Sequence, residues 1–148
     1  MPLEISLQNA LCADHAPRDA QFQSWVYAAL QAIQKDSLEG EIVIRIVTLE
    51  ESAELNESFR HKKGPTNVLS FTYEEDDIFY GDLAICADLV AREADEQAKP
   101  IIAHWAHLVI HGILHLMGYD HEADSEAQIM ESLEIQIMAT LSYPNPYD

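Results

Sequence analysis

The most apolar segment of the chain, residues 101–117, also contains four histidines. Histidines are costly inside a bilayer, so the segment predicts a helix of a globular domain, ended by Gly118, and no membrane contact. The chain has 148 residues, and a chain of this length buries roughly two thirds of its unfolded surface in one core. We therefore expect a single domain over residues 1–148. The N-terminal residues lack a signal-peptide pattern, which predicts a cytoplasmic location.

Strands and helices alternate along the chain. The predicted strands cover about residues 3–7, 41–47, 68–71 and 79–85, with an acidic connection at 74–77. The predicted helices include one from near Pro17 to Ile33 and two over residues 87–98 and 101–117. Another begins at a capping box of Thr48 and Glu51 and ends at about Arg60. The last begins at a cap formed by Ser125 and Gln128, and its inward-facing residues are Ile129, Met130, Leu133, Ile137 and Leu141. This order favours an α+β fold, in which a small mixed sheet of about four strands is covered by helices.

Three histidines and a glycine form the pattern His-x-x-x-His-x-x-Gly-x-x-His, at His111, His115, Gly118 and His121. His111 and His115 lie one helical turn apart, so both rings leave the same face and can hold one metal ion. Gly118 easily adopts a left-handed conformation, which would turn the chain so that His121 reaches the same ion. Three imidazoles leave a fourth position for water, as in catalytic zinc sites. We therefore predict one zinc ion here, although nickel, cobalt and copper also suit imidazole.

Two further histidines, His104 and His107, fall near the same helix face as His111. We expect them to form buried hydrogen bonds or to orient the metal ligands, a role that Asp120 could share. Zinc proteases of similar pattern carry a glutamate general base directly after the first histidine, where this chain has Gly112. The absence of this glutamate disfavours peptide hydrolysis. A cation that neutralises a reacting phosphate favours phosphodiester hydrolysis instead.

The chain is strongly acidic, with 26 Asp and Glu residues against 8 Lys and Arg and a formal net charge of -18. This charge argues against a general polyanion-binding surface but allows one small basic site. The only dense basic cluster is Arg60, His61, Lys62 and Lys63. It could be a solvated helix end that suits the helix dipole. Beside a metal ion it could instead bind phosphate, with Arg60 donating paired hydrogen bonds.

Together these residues resemble the YbeY family of bacterial, metal-dependent endoribonucleases, which cleave single-stranded RNA during ribosomal RNA maturation. The resemblance rests mainly on the segment His111-Gly112-Ile113-Leu114-His115-Leu116-Met117-Gly118-Tyr119-Asp120-His121, which is very close to the family's signature. Further matching motifs are Asn56-x-x-Phe59-Arg60, Pro65-Thr66-Asn67-Val68-Leu69-Ser70-Phe71, Gly81-Asp82-Leu83, Met130-Glu131, Glu134 and Pro146-Tyr147. The similarity covers most of the chain from about Ile42 onward.

The resemblance implies a small α+β fold with a metalloprotease-like metal-binding helix. It implies a zinc ion held by His111, His115 and His121, and an activity that depends on Arg60. It also implies work on ribosomal RNA, notably at the 3′ end of the 16S RNA, and a part in ribosome quality control, with ribosomal particles or ribosomal proteins as partners.

We hypothesise that the metal activates a water while Arg60 stabilises negative charge on the RNA phosphodiester and Lys62 helps to bind the substrate. One alternative is a non-catalytic ribosome-assembly factor, in which the metal stabilises the fold and the acidic surface contacts basic ribosomal proteins. The other alternative is a zinc peptidase, against which Gly112 argues.

Overall fold

A four-stranded sheet and five helices make up the fold in the computed structural model, which describes residues 3–9, 16–120 and 122–148. The elements are, in chain order, β1 (Glu4–Gln8), α1 (Asp19–Ala32), β2 (Gly40–Val47), α2 (Leu49–Arg60), β3 (Val68–Glu75), β4 (Ile78–Cys86), α3 (Ala87–Glu96), α4 (Ile101–Leu116) and α5 (Asp124–Thr140). The α+β fold expected from the sequence is confirmed.

The sheet is mixed, with the strand order β1-β2-β4-β3. Strand β2 pairs in parallel with both β1 and β4, and β3 pairs antiparallel with β4. The β3–β4 hairpin is longer than predicted, because Glu74 and Glu75 belong to β3 and only two residues form the turn. Those residues, Asp76 and Asp77, both have positive φ angles, as a two-residue hairpin turn with the twist of the strands requires.

Helix α4 lies at the centre of the packing and contacts β3, β4 and the helices α1, α3 and α5. Trp105 is fully buried and packs edge-on against Phe22 of α1, with ring centroids 5.8 Å apart. Neighbours on several sides explain why this segment is the most apolar one in the sequence. Among the described helices, none combines the length and the apolar character that crossing a bilayer requires.

Helix α5 differs from the prediction at its start and on one face. It begins at Asp124 after Ala123, and no side chain among the described residues caps its N-terminus, so the predicted cap at Ser125 is wrong. Ile129 was expected to face inward but is 57 % exposed. The side chains that α5 buries are Met130, Glu134, Ile137 and Met138, whereas Leu133 and Leu141 are partly buried. An acidic residue thus occupies the buried face of this helix.

Candidate active site

Two histidine rings of α4 meet at their Nε2 atoms. The Nε2 atoms of His111 and His115 are 3.1 Å apart, and both side chains are partly exposed. Two imidazole nitrogens that bind one tetrahedral zinc at about 2.0–2.1 Å each are separated by a little over 3 Å. The helical spacing of these residues therefore produces the convergence that the sequence predicted.

The carboxylate of Glu134, on α5, connects three side chains. Its Oε1 accepts hydrogen bonds from His107 Nε2 at 2.7 Å and from His111 Nδ1 at 3.0 Å. Its Oε2 accepts one from the hydroxyl of Tyr147 at 2.8 Å. Burial alone would raise the pKa of Glu134, but the hydrogen bonds from the two histidines and the charge attraction to them together outweigh it and lower the pKa to about 2. Burial, followed by the hydrogen bond to Glu134, raises the pKa of Tyr147, which therefore stays a donor.

These hydrogen bonds make the donor set suitable for a metal ion. An ionised carboxylate can only accept, so His111 Nδ1 carries the hydrogen, and in the neutral ring Nε2 then presents its lone pair toward His115. This tautomer leaves Nε2 available as a metal ligand, and a carboxylate behind the ring is a common way to fix it. A second reading is that His107, His111 and Glu134 hold an ion themselves, because their ligand atoms lie within 4.8 Å of one another. His121, the predicted third ligand, lies outside the described residues.

The chain turns sharply where α4 ends. Gly118 has a φ of 97°, and its N–H donates to the carbonyl of His115 at 3.0 Å, so the predicted left-handed glycine after the last turn is confirmed. Asp120, two residues later, is partly exposed and faces the same cleft as His115.

A cleft of about 560 Å³ brings the two parts of the predicted site together. Arg60 and Lys62, at the end of α2 and just after it, line this cleft together with His111 and His115 of α4. Lys63 is not among the lining residues. The basic cluster is therefore divided, with two of its cations at the cleft that the histidine pair also faces.

Buried polar groups of α2 hold the segment that follows Arg60. Ser52 Oγ donates to the carbonyl of Thr66 at 2.6 Å and accepts from its N–H at 2.9 Å. Asn56 Nδ2 donates to the carbonyl of Gly64 at 2.9 Å. Ser52 and Asn56 are 1 % and 5 % exposed. The sequence pointed to Asn56 only as part of a family motif and did not point to Ser52, because their partners are backbone groups up to 14 residues away.

His104 does not contact the histidine pair. It is buried, and its Nε2 bonds to Glu93 Oε1 of α3 at 2.9 Å. The same carboxylate accepts a hydrogen bond from Asn67 Nδ2 at 3.1 Å, just before β3. The predicted buried hydrogen bond of His104 is therefore confirmed, and Glu93 joins α3, α4 and the start of β3.

Position 112, where zinc proteases carry a glutamate, lies close to the sheet in this protein. A Cβ atom on Gly112 would lie 2.7 Å from Cδ2 and 3.1 Å from Cδ1 of Leu83, on β4. Leu83 is fully buried and has little room to move. The side chain of Leu83 thus occupies part of the space that a side chain at position 112 would need.

Comparison with known proteins identifies the fold and the family. The solution structure of TM1509 from Thermotoga maritima superposes with a TM-score of 0.60 at 25 % identity, covering 95 % of this chain and 91 % of that one. A protein of Nitrosococcus oceani named Endoribonuclease YbeY is 49 % identical over 154 residues, covering 100 % of this chain and 99 % of the relative. A Coxiella burnetii protein of the same name is 49 % identical over 150 residues, covering 99 % of each chain.

The names of these relatives define a class, the hydrolases that act on RNA. The family described as Endoribonuclease YbeY matches residues 8–142. The chain belongs to this family, as the resemblance of its motifs predicted.

Proposed function

We propose that this chain is a zinc-dependent endoribonuclease that cleaves single-stranded RNA in ribosomal RNA maturation, notably at the 3′ end of the 16S RNA, and that it acts in ribosome quality control in the cytoplasm. The observation that carries the proposal is the cleft that Arg60 and Lys62 share with His111 and His115. Family membership supports RNA as the substrate. Ribosomal particles or ribosomal proteins would be the partners.

Zinc would be held by the Nε2 atoms of His111 and His115, with His121 as the third ligand. The hydrogen bond between Glu134 and His111 Nδ1 supports this choice, because it directs the Nε2 lone pair toward His115. When bound, the ion would supply Lewis-acid activation of water and would neutralise charge on the phosphate.

The side chains of the cleft would do the remaining work. Arg60 would donate paired hydrogen bonds to a phosphate, and Lys62 would add a second positive charge. Among the described residues that line the cleft, Asp120 and Glu122 carry carboxylates, so they are the candidates for accepting a proton. Gly112 has no side chain and leaves this task to another group.

The test combines metal analysis of the purified protein with a gel assay on a defined single-stranded RNA. We expect about one zinc per chain, loss of cleavage with a chelator, and recovery when zinc is added back. The His115→Ala variant, purified in parallel, should bind less metal and should not cleave, which also controls for contaminating ribonucleases. If cleavage persists in the chelator and in the variant, the proposal is wrong.

The acidic surface, with a formal net charge of -18, favours the assembly-factor alternative as the second candidate. Circular dichroism of the metal-free protein separates the two. An enzyme that needs zinc only for chemistry keeps its fold without the ion, whereas a protein that needs the ion for its structure unfolds when the ion is removed. Unfolding without any cleavage by the metal-loaded protein would favour the assembly factor.

A further inference from the structure

Phe59, near the end of α2, is unusually exposed. It is 62 % exposed, the highest value among the large hydrophobic side chains that the structure describes. Single exposed apolar residues are common on protein surfaces, so exposure alone carries no meaning. Phe59 differs because it lines the cleft that also contains the histidine pair.

A second ring holds Phe59 in place. Phe71, on β3, packs edge-on against it with ring centroids 4.9 Å apart and an interplanar angle of 62°. Phe71 itself is partly buried against a small apolar cluster of the sheet, which includes Leu69 and Ala84. Phe71 also lines the cleft, and its contact restrains the orientation of the Phe59 ring, which lowers the entropy cost of binding a flat ligand.

The aromatic pair lies beside a cation in the same cleft, and this arrangement suits a nucleotide. Arg60 follows Phe59 directly in the sequence, and both line the same cleft. A nucleotide presents a negative phosphate and a flat base with an apolar face. We propose that one unpaired base of the RNA substrate stacks on Phe59, supported by Phe71, while Arg60 binds a neighbouring phosphate. This inference rests on the proposed function and names the part of the substrate that the cleft recognises.

Such a contact accounts for the proposed preference for single-stranded RNA, and it also suits an acidic protein. Bases in a duplex are covered by their neighbours, so only an unpaired base can lie on a protein ring. Stacking also depends little on charge. It therefore suits a protein that has only 8 Lys and Arg residues and a formal net charge of -18, and that can neutralise few phosphates.

An abasic scan tests the proposal with the metal-loaded protein. The value of kcat/KM is measured on one single-stranded RNA and on copies in which each nucleotide near the cleaved bond is made abasic in turn. We expect one abasic position to reduce kcat/KM of the wild type by about 5- to 150-fold, the range for one base stacked on an aromatic side chain. Phe59→Ala should lose a similar factor on the unmodified RNA, and the same abasic position should cost this variant nothing more.

Matched variants separate stacking from other effects. Phe59→Trp keeps a flat ring and should retain most of kcat/KM, whereas Phe59→Leu is apolar without a ring face and should resemble Phe59→Ala. Tyr73→Ala is the control, because Tyr73 is 60 % exposed on the same strand as Phe71 and does not line the cleft. It should behave as the wild type. The far-UV spectrum of each variant verifies the fold.

The proposal is wrong if every abasic position costs Phe59→Ala as much as it costs the wild type, or if Phe59→Leu retains full kcat/KM. Either result, with a wild type that cleaves RNA normally, leaves the proposed function intact. If the wild type cleaves no RNA, the proposed function fails. Fluorescence anisotropy with labelled RNA and the same variants then decides whether Phe59 binds a base.

Discussion

At the residue scale, the candidate metal centre depends on one carboxylate. Glu134 is 1 % exposed and accepts hydrogen bonds from His107, His111 and Tyr147. A buried charge is tolerated only when such donors surround it. Two of these partners lie on α4 and the third lies near the end of the chain, so Glu134 of α5 connects three separate segments. One of its partners is His111, a proposed zinc ligand.

Glu134→Gln should weaken zinc binding by about 10- to 100-fold, the usual effect of changing a group that orients a metal ligand. Glutamine can still accept from both histidines through Oε1, and its amide can donate to the hydroxyl of Tyr147, so the charge is the main loss. Competition with a chromophoric chelator measures the affinity. Glu126→Gln, an exposed change on the same helix, is the control. Equal zinc affinity in both variants would show that the carboxylate does not orient His111.

Arg60→Ala should reduce RNA cleavage by about a hundredfold or more without releasing zinc, because it removes the donors that stabilise charge on the phosphate. Arg60→Lys should recover only part of the rate, since lysine keeps the charge and loses the paired hydrogen bonds. Initial rates and the zinc content of the same samples measure both effects. Lys63→Ala, outside the cleft, should cleave normally. A normal rate for Arg60→Ala would mean that Arg60 has been misassigned.

At the element scale, the contact of α4 with the sheet sets the direction of the histidines. The helix comes so close to β4 that Cβ atoms on Gly112 and Gly81 would approach Leu83 and Leu116 within 3 Å. Residues one apart on a helix point about 100° apart. Gly112 packs against Leu83 and lines the cleft together with His111 and His115, so the close contact with β4 places this part of α4 at the cleft.

Gly112→Ala should destabilise the protein by about 1–3 kcal/mol through overpacking, even though alanine favours a helix by about 1 kcal/mol over glycine. Urea unfolding measures the free energy. In a Leu83→Val background, which removes both Cδ atoms, the same change should cost less, and a double-mutant cycle gives the difference. Identical costs in the two backgrounds would rule out the contact with Leu83 as the cause.

At the scale of the whole molecule, charge limits how RNA can bind. The formal net charge is -18, and two of the few cations, Arg60 and Lys62, line the cleft. Most of the surface therefore repels a polyanion, and binding must be local. Contacts that do not depend on charge, such as stacking on Phe59, gain relative importance.

The affinity for single-stranded RNA should depend weakly on salt, with a slope of log affinity against log salt of about -2 to -3, because only a few phosphates are neutralised. Anisotropy titrations over a range of potassium chloride concentrations measure it. Phe59→Ala should leave the slope unchanged, whereas Lys62→Ala should reduce its magnitude by about 0.7. A slope several-fold steeper for the wild type would contradict local binding.

Local patterns in the sequence determined much of this protein. The Thr48 capping box, the left-handed Gly118 and the one-turn spacing of His111 and His115 all occur as predicted, because each depends on residues within a few positions. The four strands were also predicted, although the exposed end of β3 was not, because it is stabilised by pairing with β4 rather than by an apolar pattern of its own.

Only the tertiary structure decided which distant residues meet. Glu134 reaches His111 from 23 positions away, and Arg60 shares a cleft with a histidine pair that lies on another helix. The prediction that Ile129 faces inward was wrong because helical periodicity does not say which side of α5 faces α4. Such contacts follow from the strand order and from how the helices pack on the sheet, and these are set by the free energy of the whole core rather than by any single segment.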